Sequence, residues 1–135
     1  MHPAMARPRA RIAAPVAVAL ALLAVSGALL VLRDDAAPAA RAERGRIRIT
    51  LDDFRLRPQR VQASAGRLTF DLRNAGRLGH GFRLRRNNRL WVKVSSLKPG
   101  ERRIVTRRLE PGNYRMFDAV SNYEVLGMYG TLSVR

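Results

Sequence analysis

The chain has 135 residues, carries 26 Lys+Arg against 10 Asp+Glu for a formal net charge of +16, and contains no cysteine. That length, with one leading apolar segment, leaves room for a single domain of roughly 90 residues. The missing cysteine excludes disulfides, zinc ribbons, thiol catalysis and the thiolate that blue copper requires.

Arg7, Arg9 and Arg11 precede an apolar stretch from Ala13 to Leu32, which ends at Arg33-Asp34-Asp35. As a helix such a stretch rises about 30 Å, enough to cross a bilayer core. It also exceeds the usual h-region of a secretory signal, about 7 to 15 residues. Residues 1–32 are therefore read as a transmembrane signal anchor. The alternative is a cleaved signal peptide, for which Ala24-Val25-Ser26 and Ala37-Pro38-Ala39 offer small-residue cutting patterns. In both cases the leading arginines keep the N-terminus in the cytoplasm and send the rest across. The expected location is the cell membrane, single-pass with the C-terminal domain outside the cytoplasm, or secreted or periplasmic if the leader is cut. Residues 33–45, rich in Ala and charge with Pro38 and Gly45, read as a flexible tether, and 46–135 as the domain.

From Arg46 the hydrophobic period is two: Ile47, Ile49 and Leu51 fall on one face of a first strand, and Leu68, Phe70 and Leu72 on one face of a later one. Turn chemistry recurs at Ala65-Gly66, Asn74-Ala75-Gly76, Asn87-Asn88, Pro99-Gly100 and Pro111-Gly112-Asn113. The pattern predicts strands over 46–52, 60–63, 67–73, 80–86, 89–94, 101–109, 113–118 and 128–134, and no amphipathic helix. The fold class is all-β, a sandwich. The arginines between 46 and 89 alternate with apolar residues and so lie on the solvent side of strands; with no recognition helix or RNA-binding aromatic signature, nucleic acid is not an expected partner. Trp91 is left open between core and outer face.

Asp53-Phe54-Arg55-Leu56-Arg57-Pro58, the Ala65-Gly66 turn into Leu68-Thr69-Phe70, Arg73-Asn74-Ala75-Gly76 with His80 behind it, Leu109-Glu110-Pro111-Gly112-Asn113-Tyr114, and Gly127-Met128-Tyr129-Gly130-Thr131-Leu132 follow one another in this order. The ordered set resembles a cupredoxin, the Greek-key sandwich family that includes plastocyanin, azurin and other blue copper proteins. It looks most like the small bacterial cupredoxin-like modules of the EfeO type associated with iron uptake. In copper-binding members, a His after the Asn-x-Gly turn is joined by Cys, a second His and Met, in one form spaced Cys-x4-His-x4-Met. This chain places Asp118, Tyr123 and Met128 at that spacing, so the resemblance carries ligands over only to His80 and Met128. A hard carboxylate does not supply the copper–thiolate bond. The type 1 site is read as degenerate, blue-copper electron transfer is not expected, and no cofactor is assigned.

The alternative is a non-blue site for copper or another divalent ion, using His80, Asp118 and Met128 with Tyr123 as a further ligand. Against it, His80 and Asp118 pair with each other as satisfied polar groups, Tyr123 caps the core, and Met128 fills it. Enzymatic activity is not expected. There is no Gly-x-Ser-x-Gly elbow, Asp52 and Asp53 are adjacent and face apart, and the glycine-dense segment from Gly76 to Gly81 runs into a strand. The function expected instead is that of a tethered binding or structural module. Arg77, Leu78, Val125, Leu126 and Tyr129 would form an apolar docking patch with a basic rim for an acidic extracytoplasmic or membrane protein. An anionic membrane surface is a further candidate partner.

Overall fold

The structure is a computed structural model, and it describes residues 37–135. The stretch from Ala13 to Leu32, expected as a signal anchor, lies outside the described residues. Among these residues there is no helix; ten strands form two sheets.

The first sheet has six strands in the order β1 (Ala40–Arg41), β4 (Arg60–Ala63), β10 (Tyr129–Val134), β9 (Gly112–Phe117), β6 (His80–Arg86) and β7 (Arg89–Leu97). The second has four, in the order β3 (Arg55–Arg57), β2 (Arg46–Asp52), β5 (Gly66–Asn74) and β8 (Arg102–Leu109). Strand β10 runs parallel to β4 and β2 parallel to β5, and the other pairs apart from β1 with β4 are antiparallel. This is an all-β sandwich consistent with a cupredoxin fold.

Alternation builds the core. Ile47, Ile49 and Leu51 of β2 and Leu68, Phe70 and Leu72 of β5 meet Phe82 and Leu84 of β6, Tyr114 and Met116 of β9 and Leu132 of β10 across the sandwich. Each such side chain, fully buried, contributes about 1.5–3 kcal/mol of transfer free energy. Fully buried Tyr114 donates its hydroxyl to the Glu110 carbonyl at 2.8 Å, so its polar tip is satisfied.

Every predicted strand is present, with ends displaced by at most a few residues. Two short strands escape the periodicity. Strand β3 is three residues long, too short to show a period, and follows Phe54, whose φ of 62° turns the chain sharply back. Strand β1 falls in the segment expected as a tether: Ala40 and Arg41 pair with Val61 and Gln62, and Glu43 bridges to Arg46. Residues 40–45, which fall within the expected tether, are thus bonded into the sandwich, because an unpaired edge of β4 offers backbone hydrogen bonds that composition does not reveal. Trp91 proves half-buried, edge-on to Tyr114 with centroids 5.7 Å apart, and Arg89 stacks over its ring.

Candidate functional site

The end of the sandwich where β2 turns into β3 gathers the polar residues of interest. Asn74 closes β5 and is fully buried. Its Nδ2 donates to the carbonyls of Leu78 and Leu97, both at 2.8 Å, and its Oδ1 accepts from Gly76 N at 2.9 Å. These bonds pin the 75–79 loop and deliver His80 to the start of β6. Gly76 is needed there: a Cβ would run into Asp53 Oδ1 and come within 3.0 Å of both the Asp53 nitrogen and His80 Nε2.

His80 is 0% exposed and is bracketed by two carboxylates. Asp118, itself 0% exposed just after β9, places Oδ2 2.8 Å from His80 Nδ1. Its other oxygen accepts Gly81 N at 2.9 Å and Val120 N at 2.8 Å. On the opposite side of the ring, Asp53 Oδ1 lies 3.3 Å from His80 Nε2 and also accepts the backbone N–H groups of Arg77 and Leu78 at 3.0 and 3.3 Å. The Arg77 guanidinium reaches Asp53 Oδ2 at 3.4 Å. Both ring nitrogens of His80 therefore face a carboxylate oxygen. Burial pushes the Asp53 carboxyl up, but the bonds from Leu78, His80 and Arg77 outweigh it and hold the group below the usual carboxylate range.

The expected pairing of His80 with Asp118 is present. Tyr123 stands beside them, its ring centroid 5.4 Å from that of His80 and 5.5 Å from that of Phe54, the latter in an edge contact. Met128 is fully buried within the core cluster, its carbonyl accepting Asp118 N at 3.0 Å. Asp53 is the participant that sequence reasoning missed. Adjacency to Asp52 argues only that the two carboxylates face apart, whereas β2 ends at Asp52 and the turn swings Asp53 over the histidine. The signal was present in a weak form, as an Asp at a turn where its carboxylate accepts nearby backbone N–H groups.

A type 1 copper group requires a thiolate and two imidazoles. The donors here are one imidazole, carboxylates, a phenol and a thioether, so they do not fit it. Nor do the carboxylates converge: Nδ1 and Nε2 point apart, and an ion at either nitrogen displaces an aspartate already hydrogen-bonded. No group of three or more His, Cys, Asp or Glu side chains arranged to hold a metal occurs among the described residues.

Around this buried chain the surface is apolar. Leu78, Leu126 and Tyr129 are exposed, Val125 is 86% exposed, and Phe54 joins them, another residue that sequence reasoning missed. Arg77 is 94% exposed at the rim. Tyr129 sits slightly apart, on the outer face of the six-stranded sheet under the Arg115 guanidinium at 4.7 Å. Gln59 Nε2 ties it to the loop by donating to the carbonyls of Gly127 and Tyr129 at 3.4 and 3.3 Å.

A family model described as a cupredoxin-like domain matches residues 18–130. Among solved structures, the reduced auracyanin of the photosynthetic bacterium Roseiflexus castenholzii is similar at 14% identity and a TM-score of 0.63, covering 70% of this chain and 98% of its own. Auracyanin B is similar at 17% identity and a TM-score of 0.60, with 73% and 91% covered. Auracyanin A, a "blue" copper protein of Chloroflexus aurantiacus, is similar at 16% identity and a TM-score of 0.57, with 67% and 100% covered. Likeness at this identity speaks to the fold alone. No curated protein matches the chain.

Proposed function

The chain belongs to the cupredoxin-like domain family, and from that premise we propose that it is an extracytoplasmic binding module, held at the membrane by its N-terminal apolar stretch, in which a carboxylate–imidazole–carboxylate chain stands in place of copper. The observation that carries this reading is the occupation of both His80 nitrogens, at 2.8 Å by Asp118 and 3.3 Å by Asp53. A metal would have to break these contacts, and one whose other lone pairs are used by Gly81 and Val120 is costly to break. The cluster is therefore structural: it fastens the β2–β3 turn of one sheet to β6 and the β9–β10 loop of the other. No reaction is assigned to it. What it supports is a firm platform for the exposed apolar patch of Phe54, Leu78, Val125 and Leu126, rimmed by Arg77. A patch of that character suits an acidic extracytoplasmic or membrane protein. The sequence likeness to small bacterial modules of the EfeO type is in keeping with such a role.

The test is a titration of the protein with Cu(II) by calorimetry, with absorption followed in the visible and His80→Ala as control. No saturable uptake at micromolar copper is the expected result. Uptake near one ion per chain, lost in His80→Ala, would overturn it in favour of a non-blue divalent-metal protein built on His80 and Asp118 with Met128 and Tyr123. Docking is tested apart from this, by Arg77→Glu with Leu126→Asp, which is expected to abolish recovery of a co-purifying membrane or extracytoplasmic partner.

A further inference from the structure

The outer face of the four-stranded sheet carries more positive charge than its carboxylates pair. Alternation turns Arg46 and Arg48 of β2, Arg67 and Arg73 of β5, and Arg102 and Arg108 of β8 outward. The register places Arg67 directly across from Arg108, and Arg73 directly across from Arg102. Like charges opposed in this way destabilise a sheet. Asp71 stands among them; Arg102 grips it with two bonds of 2.6 Å and Arg46 approaches to 3.3 Å, while Arg48 lies 3.7 Å from Glu43 and Asp52, at the far end of β2, pairs with Arg57 at 3.0 Å. The side chains of Arg67, Arg73 and Arg108 make no ion pair or hydrogen bond among the described residues. Edge protection explains arginines on β8, an edge strand, but not those on β2 and β5, which are central.

We infer that this face is a docking surface for an anionic lipid bilayer, with guanidinium groups of β2, β5 and β8 engaging headgroup phosphates. The choice of partner rests on the anchored reading above. Residues 33–39 separate the apolar stretch from β1, and seven residues reach at most about 25 Å. Arg46, Arg67 and Arg108 form a row at one end of this face, and Arg73 and Arg102 lie toward the end that holds Asp53 and His80. Guanidinium pairs phosphate bidentately. A shallow hollow is bordered by Arg48, Thr50, Arg73 and Arg102 with Asp71 in its wall; the Arg102 fork is held by Asp71, and the Arg73 guanidinium is the one left to a phosphate there. Exposed Ile104, beside Asp71, is an apolar side chain able to enter the headgroup layer. No outward position of these three strands is aromatic, so there is no stacking platform for single-stranded nucleic acid.

The absence of cysteine makes a single label unique. The full chain, with a polarity-sensitive dye on Thr106→Cys or, as control, on Thr131→Cys of the opposite sheet, is reconstituted in phosphatidylcholine bilayers with or without phosphatidylglycerol. Lipid-borne quencher should reach the Thr106 label only when phosphatidylglycerol is present, and raised salt should release it. Each neutral replacement among Arg67→Gln, Arg73→Gln and Arg108→Gln should lower the ratio of surface-bound to free domain by about fivefold. Equal quenching of the two labels, or quenching indifferent to lipid charge, would overturn the inference, and this comparison needs no variant arginine. So would a label that responds to a duplex oligonucleotide or an acidic peptide while ignoring both bilayers. Anchoring is read separately, by flotation with phosphatidylcholine vesicles; if it fails, anionic vesicles added to the chain in solution still report on the face.

Discussion

Asp118 and Asp71 are both nearly shut away from water, at 0% and 6% exposure, yet their surroundings treat them differently. Asp118 sits at the end of the sandwich, where short-range partners fixed by the backbone surround it: two N–H groups and one imidazole. Asp71 lies on a sheet face and is covered by the long side chains of Arg46 and Arg102, which remain half in water. The Arg102 fork, and then the nearby Arg46 and Arg48 charges, hold the Asp71 carboxyl below the usual range against the opposing push of burial. One carboxylate organises a loop cluster; the other partly neutralises a surface that stays strongly positive. Burial alone does not tell what a charged group is for, and the nature of its partners does.

Removing Asp118 should have the largest effect. Asp118→Ala strands two buried N–H groups and the His80 imidazole, and is expected to cost about 4 kcal/mol in denaturant unfolding. A cost under about 1 kcal/mol would mean that the cluster does not fasten this end. Gly76→Ala attacks the same end from the other side by forcing Asp53 off His80, with an expected loss of about 2 kcal/mol. Asp71→Ala should cost about 1–2 kcal/mol, because its partners are already half-solvated. Its penalty should shrink as salt is raised while that of Asp118→Ala holds, since exposed charges are screened and buried ones are not. Equal salt dependence would erase the distinction between the two aspartates.

Acid sharpens the comparison further. Asp53 and Asp71 both titrate below their ordinary value in the fold, so the unfolded chain binds protons first as pH drops. Their stabilisation is complete above the ordinary carboxylate value of about 4 and disappears as pH falls through the lower, folded one. Asp53→Asn and Asp71→Asn should each flatten the stability–pH curve below about pH 4. The smallest effect expected is a gain: Arg108→Thr relieves the cross-strand opposition to Arg67 and should raise stability by about 0.5 kcal/mol.

The sequence by itself determined the sandwich. Strands β2, β4 and β6 begin and end where alternation and turn residues place them, because a period of two puts one face of a strand against the core whatever else the chain does. It also determined that no thiolate is available and that His80 and Asp118 belong together, the first through composition and the second through a family resemblance. Tertiary structure decided the rest. Asp53 joins His80 only because Phe54 takes a positive φ and folds the turn over the ring, a local conformation with no periodic trace. The pairing of β1 with β4 depends on an edge left open by a strand twenty residues later. The opposition of Arg67 to Arg108, and of Arg73 to Arg102, is a matter of register between strands far apart in the chain. Alternation tells which side of a strand meets water, but not which other strand's charges it will meet there.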